Sequence, residues 1–81
     1  MDIETVNWVR SGPQRIPVLK LLRAKPRLPS EIAQELNLNR ASVSRILADL
    51  KGKGLVVNTK GKTRTITYLV TEQGRKLLDS I

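Results

Sequence analysis

Residues 29–54 read PSEIAQELNLNRASVSRILADLKGKG and contain two apolar patterns of helical period, separated by a short polar turn. The first pattern consists of Ile32, Ala33 and Leu36, and the second of Val43, Ile46, Leu47 and Leu50. This spacing is typical of helices that are buried on one face. Asn39 suits the N-cap of the second helix, which we expect to run from about Arg40 to Lys53. Gly52 and Gly54 can both end it, and Gly54 is the better left-handed residue after the helix. The stretch therefore predicts a helix-turn-helix.

The second helix opens with small, polar and basic residues on its solvent face, namely Arg40, Ala41, Ser42, Ser44 and Arg45. Such a surface fits the major groove of DNA, where a guanidinium can bind guanine O6 and N7 and a methyl group can contact thymine. The alternative is an ordinary solvated helix face, and Ser42 could cap the helix instead. On the first helix, Ser30 and Gln34 could touch phosphate.

After Gly54 the pattern changes from helical to extended. Residues 55–59 form a short segment rich in β-branched side chains, and Lys60-Gly61-Lys62 is expected to form a glycine-tipped turn. Apolar side chains then alternate with others over residues 64–70. We therefore predict a β-hairpin, or wing, over residues 55–70. Its basic residues Lys60, Lys62 and Arg64 are expected to meet phosphates or a minor groove. The alternative is an ordinary soluble hairpin turn.

Further helices are predicted on both sides of this region. One covers residues 2–10, and another begins near Pro13, or at Arg15 or Ile16, and ends before Pro26. The last covers residues 71–81, with Thr71 as its cap. Gly74 inside that helix should weaken it by about 1 kcal/mol relative to alanine.

The composition limits both size and chemistry. The 81 residues are 40% hydrophobic, which suits one small domain over residues 1–81 with a single aliphatic core. The net charge is +8, and residues 40–64 hold seven basic residues against one acid, so a polyanionic partner is expected. Cysteine and histidine are absent, which excludes disulfides, thiol redox chemistry and zinc fingers.

The sequence shows no catalytic constellation, because the serines have no histidine to activate them. We therefore expect a protein that is not an enzyme and that needs no cofactor or metal. It contains no signal-peptide pattern, and no apolar run approaches the roughly 20 residues of a membrane helix. A soluble cytoplasmic protein, associated with the nucleoid when bound to DNA, is the expectation.

Three segments, SEIAQEL at 30–36, SVSRILADLKGKGLV at 42–56 and YLVTEQGRKLL at 68–78, resemble the small winged-helix regulators common in archaea. The resemblance extends more distantly to MarR- and ArsR-type repressors. It implies a mainly α fold with a small β-hairpin wing (α+β), the winged helix-turn-helix, and sequence-specific binding of double-stranded DNA by a homodimer. ArsR-type metal ligands are missing, and the final helix is shorter than MarR-type terminal helices. Metal sensing and ligand-controlled release are therefore not expected.

Two questions stay open at this level. The dimer surface could involve Trp8 and Val9, or the final helix with Leu77, Leu78 and Ile81, and the alternative for each is the core of one protomer. The leading functional hypothesis is a transcriptional regulator, acting as a repressor on a pseudo-palindromic site. The alternatives are a protein-interaction winged helix in a transcription or replication assembly, an RNA-binding winged helix, and a nonspecific architectural DNA-binding protein.

Overall fold

The secondary structure follows the predicted order of helices and hairpin. The structure, a computed structural model, describes residues 2–60 and 65–81. Its elements are α1 (Ile3–Ser11), α2 (Arg15–Ala24), α3 (Pro29–Leu36), α4 (Arg40–Gly52), β1 (Val56–Lys60), β2 (Ile66–Val70) and α5 (Glu72–Ser80). The mainly helical fold class with a two-stranded wing is confirmed. None of the helices in these ranges is long and apolar enough to cross a membrane.

Polar side chains begin three of the helices. The carboxylate of Asp2 accepts a hydrogen bond from the backbone N–H of Glu4 at 3.1 Å, and Thr71 accepts one from Gly74 at 3.1 Å. The side chain of Asn39 accepts from the N–H of Ser42 at 2.7 Å. The predicted caps Asn39 and Thr71 are confirmed. The alternative that Ser42 caps α4 is wrong, because Ser42 lies inside the first turn and its amide is the group that is capped.

The turn between α3 and α4 depends on an asparagine in the left-handed region. Asn37 ends α3 with φ of 55°, a conformation that asparagine tolerates better than most residues. The backbone N–H of the next residue, Leu38, then donates to the carbonyl of Ala33 at 2.8 Å. Leu38 packs against the core from this turn. The two helices are thereby joined with only three residues between them.

Of the three starts predicted for α2, the structure shows the one at Arg15. Gln14 precedes it with φ of 65°, so the chain reverses there before the helix begins. Pro17 falls within the first turn, where the backbone N–H groups have no partner in the helix, and its missing N–H therefore costs no intrahelical hydrogen bond.

All five helices and both strands contribute to one aliphatic core. Its buried members are Val9, Val18, Leu19, Leu22, Ile32, Ala33, Val43, Leu47, Leu50, Leu55, Val56, Val70, Leu77 and Leu78. Val9, Leu77 and Leu78 therefore serve the core of the protomer, which was the alternative to a dimer contact. Ile81 is 41% exposed.

The wing is an antiparallel hairpin, and one residue of the α2–α3 connection pairs with its outer strand edge. The pairing runs from Val56 opposite Val70 to Lys60 opposite Ile66. On the other side of β2, Arg27 and Tyr68 exchange two backbone hydrogen bonds, of 3.0 and 2.8 Å. The sequence patterns did not predict this bridge, because one residue of extended backbone leaves no periodic signal.

The base of the hairpin is closed by Thr71. Its hydroxyl donates to the carbonyl of Gly54 at 2.7 Å, and its backbone N–H donates to the carbonyl of Leu55 at 3.0 Å. The end of α4 and the start of α5 are thus held together at the point where the wing leaves the helical body.

Candidate nucleic-acid interface

Helix α4 is fixed by one face and presents the other to solvent. Val43, Leu47 and Leu50 are buried in the core. The predicted contact residues Arg40, Ala41, Ser44 and Arg45 are exposed, and Ser42 is half-buried. The structure therefore leaves the front of α4 accessible, while the DNA contacts of these five residues stay predictions.

The other helix of the motif exposes Ser30 and Gln34, which lie one turn apart on α3. The first turn of α3 is closed by Glu31, whose carboxylate accepts a hydrogen bond from the backbone N–H of Leu28 at 2.8 Å. Ser30 is therefore held in an ordered first turn, where a hydroxyl and nearby backbone N–H groups suit an anionic oxygen.

A hollow of about 330 Å³ separates the first turns of α3 and α4 from strand β2. Its lining includes Ser30 and Arg40 on the helical side and Ile66 and Tyr68 on the strand side. Two of the predicted site residues, ten positions apart in sequence, are thus brought together beside the wing.

The wing contributes one described cation. Lys60 is exposed at the end of β1, opposite Ile66. The other predicted wing residues, Lys62 and Arg64, lie outside the described residues, as does Gly61 at the expected turn.

The cations at the front of α4 and at the end of β1 have no ion-pair partner among the described residues. Within residues 2–60 and 65–81, the ion pairs are Arg23–Asp79, Arg27–Glu35 and Lys76–Glu72, at 2.6, 2.7 and 3.7 Å. None of them involves Arg40, Arg45 or Lys60. These three charges are therefore available to an external polyanion.

A second hollow, of about 450 Å³, brings the α1–α2 turn to the side of α4. Arg45, Ile46 and Asp49 line it from α4, Gln14 lines it from the turn, and Arg15 lines it from the start of α2. The sequence patterns did not identify Arg15 as a neighbour of Arg45. Only the tertiary packing of the two segments reveals it, since the residues are thirty positions apart.

Trp8 is half-buried, and two cations of the same protomer lie near its ring. The guanidinium of Arg15 stands 3.7 Å from the centroid of the ring, and the ammonium of Lys53 stands 5.2 Å from it. Arg15 also donates a hydrogen bond to the backbone carbonyl of Trp8. Trp8 thus has the packing role that the sequence predicted as one alternative, joining α1 to the end of α4.

Solved structures of similar fold include regulators from archaea and bacteria. The transcriptional regulator BldR from Sulfolobus solfataricus has a TM-score of 0.76 and 22% identity, over 80% of this chain and 48% of that one. YusO from Bacillus subtilis has a TM-score of 0.78 and 24% identity, over 83% and 50%. The C30S mutant of Lactococcus lactis ZitR in complex with DNA has a TM-score of 0.76 and 20% identity, over 83% and 47%.

These similarities establish the fold and no more. ZitR is a zinc-responsive MarR family member, so the expected resemblance to MarR-type proteins is confirmed for the winged-helix architecture. The chain spans about half the length of these three structures. No curated protein matches it in sequence.

A family match covers nearly the whole chain. Residues 3–81 match the family described as the HVO_A0261 N-terminal domain. This range includes every helix and strand of the described structure. The chain belongs to the HVO_A0261 N-terminal domain family.

Proposed function

We propose that the chain is a sequence-specific double-stranded DNA-binding transcriptional regulator that acts as a repressor. The observation that carries this proposal is the front of α4, where Arg40 and Arg45 are exposed and unpaired within the described residues. The opposite face of the same helix is buried in the core. A helix held in this way can enter a groove without leaving the body of the protein.

In the proposed complex α4 lies in the major groove. Its 13 residues span about 20 Å, and its first turns carry the readout. Arg40 and Arg45 bind base edges or phosphates, while Ser42 and Ser44 bind phosphate oxygens or base edges. Ala41 contacts a thymine methyl. A good bidentate arginine contact discriminates against the wrong base by about 1–3 kcal/mol.

The remaining site residues bind the backbone of the duplex. Ser30 and Gln34 contact phosphates from α3. Lys60, Lys62 and Arg64 contact phosphates or the minor groove from the wing. Such contacts position the protein and provide salt-dependent affinity without reading sequence. The shared fold of ZitR, whose C30S mutant was solved with DNA, supports this arrangement.

The functional unit in this proposal is a homodimer in the cytoplasm. Two recognition helices then reach major grooves about 34 Å apart on a pseudo-palindromic site. Exposed apolar side chains on the terminal segments support self-association, since Ile3 is 71% and Ile81 is 41% exposed. Repression follows from occupation of the site, and the proposal requires no cofactor or metal.

Selection from a random duplex pool at two salt concentrations tests the proposal. We expect enrichment of one motif with two inverted half-sites, and an affinity that falls with salt by a slope of about −0.9 per phosphate neutralised. Sedimentation of the bound complex gives the number of protomers. Binding of all duplexes alike would favour an architectural role, and absence of binding would favour a protein-interaction role. Either result would refute sequence-specific regulation.

A further inference from the structure

Arg27 joins three parts of the fold through its backbone and side chain. Its backbone exchanges hydrogen bonds of 3.0 and 2.8 Å with Tyr68 in the wing. Its guanidinium lies 2.7 Å from the carboxylate of Glu35 on α3. The α2–α3 connection, strand β2 and the first helix of the helix-turn-helix therefore meet at this one residue.

The Arg27–Glu35 pair differs from the other arginine–carboxylate pair of the described residues. The side chain of Arg27 is only 11% exposed, whereas Arg23 and Asp79 are 45% and 63% exposed. Nε of Arg27 is buried and has no hydrogen-bond partner within the described part of the chain. Because a buried cation needs compensation, Arg27 depends on Glu35 far more than Arg23 depends on Asp79.

The position of this pair bears on the proposed interface. Tyr68 lines the strand side of the 330 Å³ hollow, and Arg40 lines the helical side. Arg27 is hydrogen-bonded to Tyr68 through its backbone and paired with Glu35 on α3 through its side chain, so it connects the wing to the first helix of the motif. A hairpin of two strands has little rigidity of its own.

We propose that Arg27, acting through Glu35, is a positioning residue that holds the wing in one orientation relative to α3 and α4. In this arrangement the wing and the recognition helix bind a single duplex in a fixed register. The part that concerns DNA rests on the proposed function, whereas the orientation of the wing does not.

The orientation can be measured without DNA, because the chain contains no cysteine. Spin labels at Ala48→Cys on α4 and Thr59→Cys on β1 report the distance between helix and wing. We expect the distance distribution to broaden in Glu35→Ala and in Arg27→Gln. It should stay unchanged in Arg23→Gln, the matched control that breaks the exposed pair on α2 and α5. Equal widths in all four proteins would overturn the proposal. If Arg27→Gln does not fold, Glu35→Ala decides, because Glu35 is half exposed.

A double-mutant cycle tests the DNA part. Lys60→Ala should lower duplex affinity several-fold in the otherwise unchanged chain and by less than about twofold in the Glu35→Ala background, since the displaced wing no longer reaches the backbone. Equal losses in both backgrounds would overturn the positioning of the wing on DNA, because a role in stability alone would leave the effect of Lys60 unaltered. Broadened distances without any duplex binding would overturn the proposed function and support Arg27 as the residue that orients the wing.

Discussion

A methyl group added to Gly74 would collide with the backbone carbonyl oxygen of Leu55. Helix α5 therefore lies directly against the residue that leads from α4 into the wing, with no space for a side chain between them. A methyl of Val70 closes the same space from β2. Gly74 is buried at the point where the end of α4, the wing and α5 converge.

This contact reverses the effect expected for alanine at position 74. Helix propensity alone favours alanine by about 1 kcal/mol. The collision with backbone, which cannot move like a side chain, should instead lower the free energy of unfolding of Gly74→Ala by about 1–3 kcal/mol. Urea denaturation followed by circular dichroism measures the difference.

Gly52→Ala is the matched control. A Cβ at Gly52, the last residue of α4, meets nothing within 4 Å. We expect this variant to equal the parent in stability or to exceed it by up to about 1 kcal/mol. If Gly74→Ala proved as stable as Gly52→Ala, the close approach of α5 to Leu55 would be wrong.

Removing the cap of α4 should destabilise the first turn of that helix. Asn39→Ala loses the hydrogen bond to the N–H of Ser42, at a cost of about 0.5–2 kcal/mol. Faster hydrogen exchange at the Ser42 amide would locate the effect. Asn37→Gly provides the comparison, because glycine accepts a φ of 55° freely. A stability loss as large as that of Asn39→Ala would contradict this reading of the turn.

Substitutions on α4 should change base preference, whereas substitutions on the wing should change affinity for all duplexes alike. Arg45→Ala is expected to relax base preference, whereas Lys60→Ala should weaken binding to all duplexes about equally and reduce the salt slope by about one. Affinities for a set of single-base site variants at several salt concentrations distinguish the two. Lys20→Ala removes the same charge from an exposed position on α2 and is the control for net charge. Proportional losses for Arg45→Ala across all sites would refute base readout by α4.

The contact of Arg15 with Trp8 should be visible in fluorescence and stability. Arg15→Ala removes the cation that stands 3.7 Å from the ring centroid, a contact worth about 0.5–2 kcal/mol. Because Trp8 is the sole tryptophan, its emission should shift to the red as the ring becomes more exposed. Lys53→Ala, which removes the cation at 5.2 Å, should have the smaller effect on both measurements. A larger effect for Lys53→Ala would contradict the assignment.

The features that the sequence predicted correctly are those with local causes. Apolar residues of α4 repeat at helical spacing, Asn39 and Thr71 precede their helices as caps, and the β-branched strands follow Gly54. Each of these signals lies within one turn or one strand of the element that it specifies. This is why the helix order and the wing could be predicted without knowing which residues contact one another across the fold.

The features that were missed depend on distant residues. Arg27 forms its bridge with Tyr68, forty-one positions away, and one residue of extended backbone has no period to detect. The need for glycine at position 74 also depends on a distant group, because it arises from the carbonyl of Leu55 and not from helix α5 itself. For the candidate site, the exposure of Arg40 and Arg45 follows from the helical pattern. Their grouping with Ser30 and Arg15 required the packing of α3 and of the α1–α2 turn.

The hydrogen bonds of Thr71 to Gly54 and Leu55 tie the wing to the helical body at its base. Because both strands are anchored at their base, we expect changes of length in the stretch between Lys60 and Ile66 to leave the core intact. In the proposed complex, the contacts of the wing can therefore change without a change in α4. For the same reason, that stretch is the natural place to insert a tag or to exchange one wing for another.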